Sequence, residues 1–489
     1  MIELSLQFTT PDEKQEDGPI QVSLFRPDSG VRTEPAAFSP PLDDKILGDI
    51  HWYLETFSTW PTGPDYERAE HIESQLEEWG RTMLDSVLPG KDAARLWQQF
   101  VDAGNERLLT IDATDPRVLR LPWELLADES GHLFSQGIGL RRRLQKTTTP
   151  QQQKPLPLPV RILVVVARPD DAGFIDSRAI TRPLLDAVAG LGEGVVVEFL
   201  PQPTLKALSQ RLRNRQAPPV HVVHFDGHGV YDKSLGLGFL LFENDEHGSD
   251  PVDANRLGTL LNQSGVPLMV LNACQSAMQK EGNPYASVAT RLIRAGVGSV
   301  LAMNYSVLVV AAHKFVAAFY AALAAGRTVG QAVDDGRFAL LEDIDRHTIV
   351  RPNAEGVLAE EKIRLYDWFL PALYQQSVDP VIFNMPAEAE TVEKAAAPPT
   401  IPIRQTFPGL VRLVQEKFNE DELRQLCHEL GVQYDDLPGD GNAAKALSLV
   451  ELAERRDAVP ALVKAGQATR PLANWDAALS PSAAAEALA

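Results

Sequence analysis

Cysteine is nearly absent from this chain of 489 residues, which holds two, Cys274 and Cys427. Two thiols cannot build a disulfide framework or a cysteine-rich zinc site, and they fit a reducing, cytoplasmic compartment. Long apolar runs are missing as well. The nearest approach, VLVVAAHKFVAAFYAALAAG (307–326), is interrupted by His313 and Lys314 and reads as a buried helix, short of the roughly 20 apolar residues that a membrane span needs. The first stretch, MIELSLQFTTPDEKQEDG, has neither a basic start nor an apolar core and is not read as a signal peptide. Positive charge is in deficit, with 46 Lys and Arg against 66 Asp and Glu, a net charge of −20. That balance argues against a nucleic-acid footprint or an anionic membrane surface as partner. One basic cluster stands apart, Arg141-Arg142-Arg143. Three like charges in a row read as a solvated face, or as a protease-sensitive spot in a loop.

What is present is ordinary for a soluble protein: 44% hydrophobic and 23% charged residues. At roughly 150 residues per domain the length implies about three domains. Residues 1–26 alternate as a hairpin, 44–107 carry charged helical patterns, and LLTIDA and the segment around RLPWELLADESGHLFSQGIGLRRRL add strands and a Pro-started helix. TTTPQQQKPLPLP (147–159) reads as an extended linker. From residue 160 apolar strands (VRILVVVARP, VVVEFLP, VHVVHF, VPLMVLN, SVLAMN) alternate with helices such as TLKALSQRLRNRQ, capped by Thr204. VDPVIF is expected as a closing strand. This rhythm predicts an α/β fold with a parallel sheet covered on both faces and its site at the carboxyl ends of the strands. The expected division is an N-terminal α+β region (1–150), a core (160–384), an Ala/Pro/Glu-rich linker (385–404), an all-helical module (405–475) and a loose tail (476–489).

Two motifs carry chemistry. HVVHFDGHG (221–229) sets His228 between glycines in a turn past one apolar strand, and MVLNACQS (269–276) sets Cys274 past another. Alone, a strand-end cysteine is a small buried apolar residue and a turn histidine is a weak signal. Together, 274 − 228 = 46 residues apart and both at strand ends, they form a nucleophile and its acid–base partner. The backbone amides of Gly229 and Cys274 would then supply an oxyanion hole. His221 and His224 lie on the strand and read as packing; with no third ligand at suitable spacing, neither a metal nor a cofactor is expected. Cys427, in the amphipathic stretch DELRQLCHELGV, reads as core.

HVVHFDGHG followed by VLNACQS resembles the CHAT domain, a caspase-like family of clan CD cysteine proteases. RLPWELLADESGHLFSQGIGL is similar to the segment preceding the catalytic core of that family, and the resemblance spans roughly residues 110–385. It implies a caspase-like, mostly parallel sheet flanked by helices, with His228 and Cys274 as the catalytic pair. After SVLAM many relatives carry a Trp and an acidic residue; here the segment reads NYSVLVVAA, leaving Asn304 and Tyr305 as pocket candidates and Val309 near the place of the acid. Asn272 stands where clan relatives that cut after Lys or Arg often have Asp, which disfavours a basic residue before the cut. Arg168 and Arg178 follow the first core strand, where caspases keep a specificity arginine; either favours an acidic substrate residue or forms a structural ion pair. Asp226 orients a group near the site or makes the turn. FNEDELRQLCHELGVQYDDLPGDGNAAKALSLVELAERRDAVPALVKAG resembles effector-associated, death-like helical bundles, which pair with like domains on partner proteins. The combined resemblance implies an endopeptidase with a protein substrate, recruited to a death-like-domain partner through 405–475 in a prokaryotic immune, anti-phage or cell-death pathway. A catalytically silent scaffold, and a cysteine amidase or acyltransferase, are the alternatives.

Overall fold

The computed structural model describes residues 2–10, 18–58, 61–104, 106–144, 156–172, 184–185, 188, 194–232, 237–272, 284–305, 308–352, 358–376, 379–383, 408–430, 432, 434, 437, 441–455, 459–470 and 475. They fall into two units, 1–389 and 390–489.

In the first unit an eleven-stranded sheet runs in the order β3-β2-β1-β4-β7-β18-β15-β14-β10-β8-β9. Its amino-terminal members are β1 (Ile2–Thr9), β2 (Ile20–Phe25), β3 (Ala36–Phe38), β4 (Arg107–Asp112) and β7 (Ile138–Arg143). The short β5 (Ala127–Asp128) and β6 (Gly131–His132) pair aside from it. The later members are β8 (Val160–Val166), β9 (Val195–Phe199), β10 (Val222–Asp226), β14 (Leu268–Asn272), β15 (Ser299–Met303) and β18 (Pro371–Gln375). Between them β11 (His228–Asp232), β12 (Leu237–Glu243) and β13 (Ser249–Asp253) form a separate three-stranded sheet, and β16 (Asp345–Pro352) and β17 (Leu358–Arg364) a hairpin.

The large sheet consists of two blocks. β1, β4, β7 and β18 run parallel. β15, β14, β10, β8 and β9 also run parallel to one another. The blocks meet antiparallel at β15/β18. Every residue of β10, β14 and β15 is buried, as near-continuous apolar strands must be when both faces are covered. Polar caps start the covering helices: Thr204 accepts from the Ala207 amide before Leu205–Arg213, and Asp253 accepts from Asn255 and Arg256 before Ala254–Gln263. Thr328 and Gln331 form a capping box ahead of Val329–Glu342. Helix Val309–Ala324 buries Phe315, Phe319 and Tyr320 against the core. No helix among the described residues is long and apolar enough to cross a membrane.

Three expectations need correction. The boundary at residues 150–160 does not divide the sheet, because β18 pairs with β7 from before it and with β15 from after it. The described residues of VDPVIF form only isolated bridges, at Val381 and Phe383; the strand in that region is β18, from PALYQ. The arginine run is not a solvated face: Arg141 and Arg142 are fully buried in β7. Glu124 answers Arg142, bonding it through both carboxylate oxygens, and also approaches Arg337 at 3.4 Å. Glu3 approaches Arg141 at 3.1 Å and Arg143 at 2.8 Å. Burial alone would push the Glu3 carboxyl up, but Arg141 and Arg143 hold it below the ordinary range.

The second unit holds helices Pro408–Lys417, Glu420–Glu429, Asn442–Arg455 and Val459–Thr469. They close on a core that includes Leu410, Val414, Leu426, Leu449, Leu462 and Trp475. Cys427 is part of that core, and burial pushes its thiol up to about 11. The expected linker and tail lie outside the described residues.

Candidate active site

Four neighbouring strands, β15, β14, β10 and β8, end together at one edge of the sheet because they run parallel in a matched register. Asp226 pairs with Asn272 on one side and Val166 on the other. Directly opposed residues of adjacent strands share a face, so Asp226 and Asn272 sit side by side. His224, two residues earlier on β10, shares that face one step below.

Of the candidates read from sequence, this edge collects six of those described. Arg168 follows β8, His228 and Gly229 follow β10, Asn272 ends β14, and Asn304 and Tyr305 follow β15. Cys274 and Arg178 lie outside the described residues. His228 does not occupy a turn. It is the first residue of β11, paired with Leu241 of β12, and is 1% exposed. The change of direction falls on Gly227. A Cβ there would come within 2.8 Å of the Phe225 ring and 3.2 Å of the Ala167 carbonyl oxygen. Phe225 packs on Phe242 with ring centroids 5.0 Å apart and cannot easily yield, so only glycine lets β10 pass directly into β11.

Arg168 is held as an ion pair. Its guanidinium donates to Asp226 Oδ2 at 2.6 Å and to the Asp226 and Ala167 carbonyls at 2.8 and 2.9 Å. Burial pushes the Asp226 carboxyl up to about 6 against the opposing pull of Arg168. Glu243, at the end of β12, accepts from the Arg168 amide at 2.8 Å and contacts His247 Nδ1 at 3.2 Å. Sequence reasoning missed Glu243; its signal was a lone acid closing the apolar run GFLLFE. His224 Nδ1 lies 3.0 Å from the Tyr320 hydroxyl, and burial lowers its pKa to about 4, which keeps the ring neutral. His221 is likewise lowered to about 4, first by burial and then by Arg161. Both histidines therefore pack rather than titrate near neutrality. The Tyr305 ring lies tilted against His51, centroids 6.1 Å apart, so the helix Asp44–Trp52 reaches this edge. Asn304 is anchored by its amide to the Leu370 carbonyl at 3.0 Å.

Among the described residues no group of three or more His, Cys, Asp or Glu side chains could hold a metal ion. The arrangement offers a buried imidazole at the edge, the strand β11 that begins with it, and polar side chains beside it.

The profile of the CHAT domain matches residues 90–378, and that of effector-associated domain 7 matches residues 410–471. No curated protein matches the chain. Among solved structures it is similar to the Arg-specific cysteine proteinase gingipain R, at 12% identity over 65% of this chain and 76% of that one, with a TM-score of 0.34. A complex of the Porphyromonas gingivalis RgpB pro- and mature domains gives 12% identity, 65% and 77% coverage and a TM-score of 0.35. The Saccharomyces cerevisiae separase–securin complex gives 11% identity and a TM-score of 0.42 over 77% of this chain, which spans 30% of the matched one.

Proposed function

The chain belongs to the CHAT-domain family, and from that premise we propose that it is a cysteine endopeptidase with Cys274 as nucleophile and His228 as its acid–base partner. One observation carries the reading. β10 and β14 pair with Asp226 opposite Asn272, an offset of 272 − 226 = 46 residues. The offset between Cys274 and His228 is the same, 274 − 228 = 46. In the sequence each of the two residues follows the end of its strand by two positions, and the two strand ends are themselves partners.

The chemistry follows from that pairing. The Cys274 sulfur attacks the scissile carbonyl carbon while His228 takes the thiol proton. The resulting oxyanion is received by the backbone N–H groups of Gly229 and Cys274. His228 then returns its proton to the leaving amine, and the C–N bond breaks to give a thioester. Water, deprotonated by His228, attacks that thioester, the C–S bond breaks and the acid product leaves. The helical unit at 405–475 recruits the protease to a partner protein bearing a like domain, and a tether raises local concentration without imposing geometry. We place the pair in a cytoplasmic prokaryotic immune or cell-death response, in which cleavage activates the partner.

Mass-spectrometric mapping of cut sites in the co-purified partner tests the reading. Cuts made by the wild-type chain and absent with Cys274→Ala support it; cuts that persist in Cys274→Ala, or a partner left intact by both, overturn it in favour of a scaffold.

A further inference from the structure

Three polar atoms lie buried on one face of the sheet edge without a hydrogen-bond partner among the described residues: Asp226 Oδ1, Asn272 Nδ2 and His224 Nε2. Their residues are 0%, 2% and 0% exposed. Leaving such atoms unpaired is costly, and a cluster of them marks a place that expects a ligand group. Asp226 and Asn272 are register partners, so an acceptor and a donor stand side by side, with the neutral His224 as a floor one strand step below.

The charge at this point is already balanced. Arg168 holds the other oxygen of Asp226 at 2.6 Å and spends further N–H groups on the Asp226 and Ala167 carbonyls. An acidic side chain entering here meets a guanidinium that Asp226 has already neutralised. A basic one adds an uncompensated cation to a neutral buried pair. An apolar one leaves both orphan atoms unpaired. A primary carboxamide fits both: its carbonyl accepts from Asn272 Nδ2 and its NH₂ donates to Asp226 Oδ1.

We propose that these open hydrogen-bonding atoms receive a carboxamide side chain, glutamine or asparagine, on the substrate residue preceding the scissile bond. The inference rests on the protease reading, since Asn272 precedes the proposed nucleophile by two residues. It makes Asn272 and Asp226 the specificity-determining pair and gives Arg168 the task of positioning and neutralising Asp226.

The test uses the full-length chain and peptide pools that share mixed flanking positions and differ only in that residue: Gln, Asn, Glu, Arg or Leu. Binding to Cys274→Ala is measured by fluorescence polarisation, and hydrolysis by the wild-type chain in parallel. The Gln or Asn pool is expected to bind at least roughly tenfold more tightly than the others, as sites built to hydrogen-bond a side chain discriminate strongly. Adding Asn272→Leu should erase that preference and improve the Leu pool; Asn272→Asp should move it to the Arg pool. A Glu, Arg or Leu pool that binds as well as the carboxamides, or no pool binding at all, overturns the proposal. Cys274-dependent hydrolysis with a different preference sinks the carboxamide site but leaves the protease. Carboxamide-selective binding with no hydrolysis sinks the protease but leaves the carboxamide site.

Discussion

The two blocks of the eleven-stranded sheet both bury charge, but they finish the task differently. In the block of β1, β4, β7 and β18, each buried guanidinium faces a carboxylate. Arg142 has Glu124, Arg337 has Glu124 and Asp334, and Arg141 and Arg143 share Glu3. Among the described residues the Nε atoms of Arg142 and Arg337 and the Tyr374 hydroxyl lack hydrogen-bond partners, yet the charges of the arginines are balanced and surrounded by packed side chains. In the block of β10 and β14 Asp226 and Asn272 stand at strand ends with His224 two residues earlier, and each of the three has a buried polar atom without a hydrogen-bond partner among the described residues. Burial with completed pairing holds a fold together. Burial with pairing left open, next to a Gly-His-Gly corner, is the form a recognition site takes.

The sharpest break of this comparison is catalytic. Cys274→Ala and His228→Ala should each lower peptide cleavage by roughly 10³-fold or more, with an unchanged thermal transition. A loss of fold instead of activity would place the second block with the first. Next in size is Glu124→Gln. Removing the shared partner of two buried arginines should lower the unfolding free energy by about 3–5 kcal/mol, read from urea denaturation. Cleavage by the protein that remains folded should be unaltered.

A third expectation concerns pH. His224 has its pKa lowered from 6.5 to about 4, so the stability it contributes is complete above pH 6.5 and is lost as pH falls through about 4. His224→Phe should flatten that acid limb by up to about 3 kcal/mol relative to wild type, on the linkage of roughly 1.4 kcal/mol per unit. Asp226 acts in the opposite sense. Its pKa is raised to about 6, so its contribution is complete below the unfolded value of 3.8 and is lost as pH rises through about 6. The two slopes oppose each other between pH 4 and 6, and unfolding measured across that range in wild type and His224→Phe separates them. The smallest effect is the most telling: Asn272→Leu should change stability by no more than about 1 kcal/mol, because the Nδ2 it removes has no hydrogen-bond partner among the described residues. A large destabilisation would show that Asn272 serves the fold.

Much of the second block was legible. VRILVVV, VVHFD, LMVLN and SVLAM read as strands because continuous apolar runs have few alternatives between helices. The cap at Thr204 was legible because a hydroxyl before a helical pattern satisfies free amides locally. The α/β class, with a mostly parallel sheet flanked by helices and a helical module after it, emerged as expected. The arginine run misled because its partners arrive from far along the chain: Glu3 is separated from Arg143 by 140 residues and Glu124 from Arg142 by 18. The hairpin of β16 and β17 was hidden by its charges, as DRHTIVRP and LAEEKIR alternate around ion pairs such as Lys362 with Asp345 at 2.6 Å. The corner at His228 was taken for a turn because glycines on either side of it read as turn residues. In the structure Gly227 makes the corner and Gly229 continues β11.

By itself the sequence determined which segments are apolar enough to be buried strands, where several helices begin, and that a histidine and a cysteine each follow such a strand. These are local properties, set by side-chain size, branching and capping within a few residues. Tertiary structure alone decided that β10 and β14 are neighbours in a register whose offset equals the His228–Cys274 spacing. It also decided that Arg168 is spent on Asp226, and that Arg141 and Arg142 lie in the core. Those outcomes depend on which charges meet after the chain has closed over long distances, and a buried charge takes its meaning from the partner that folding brings to it.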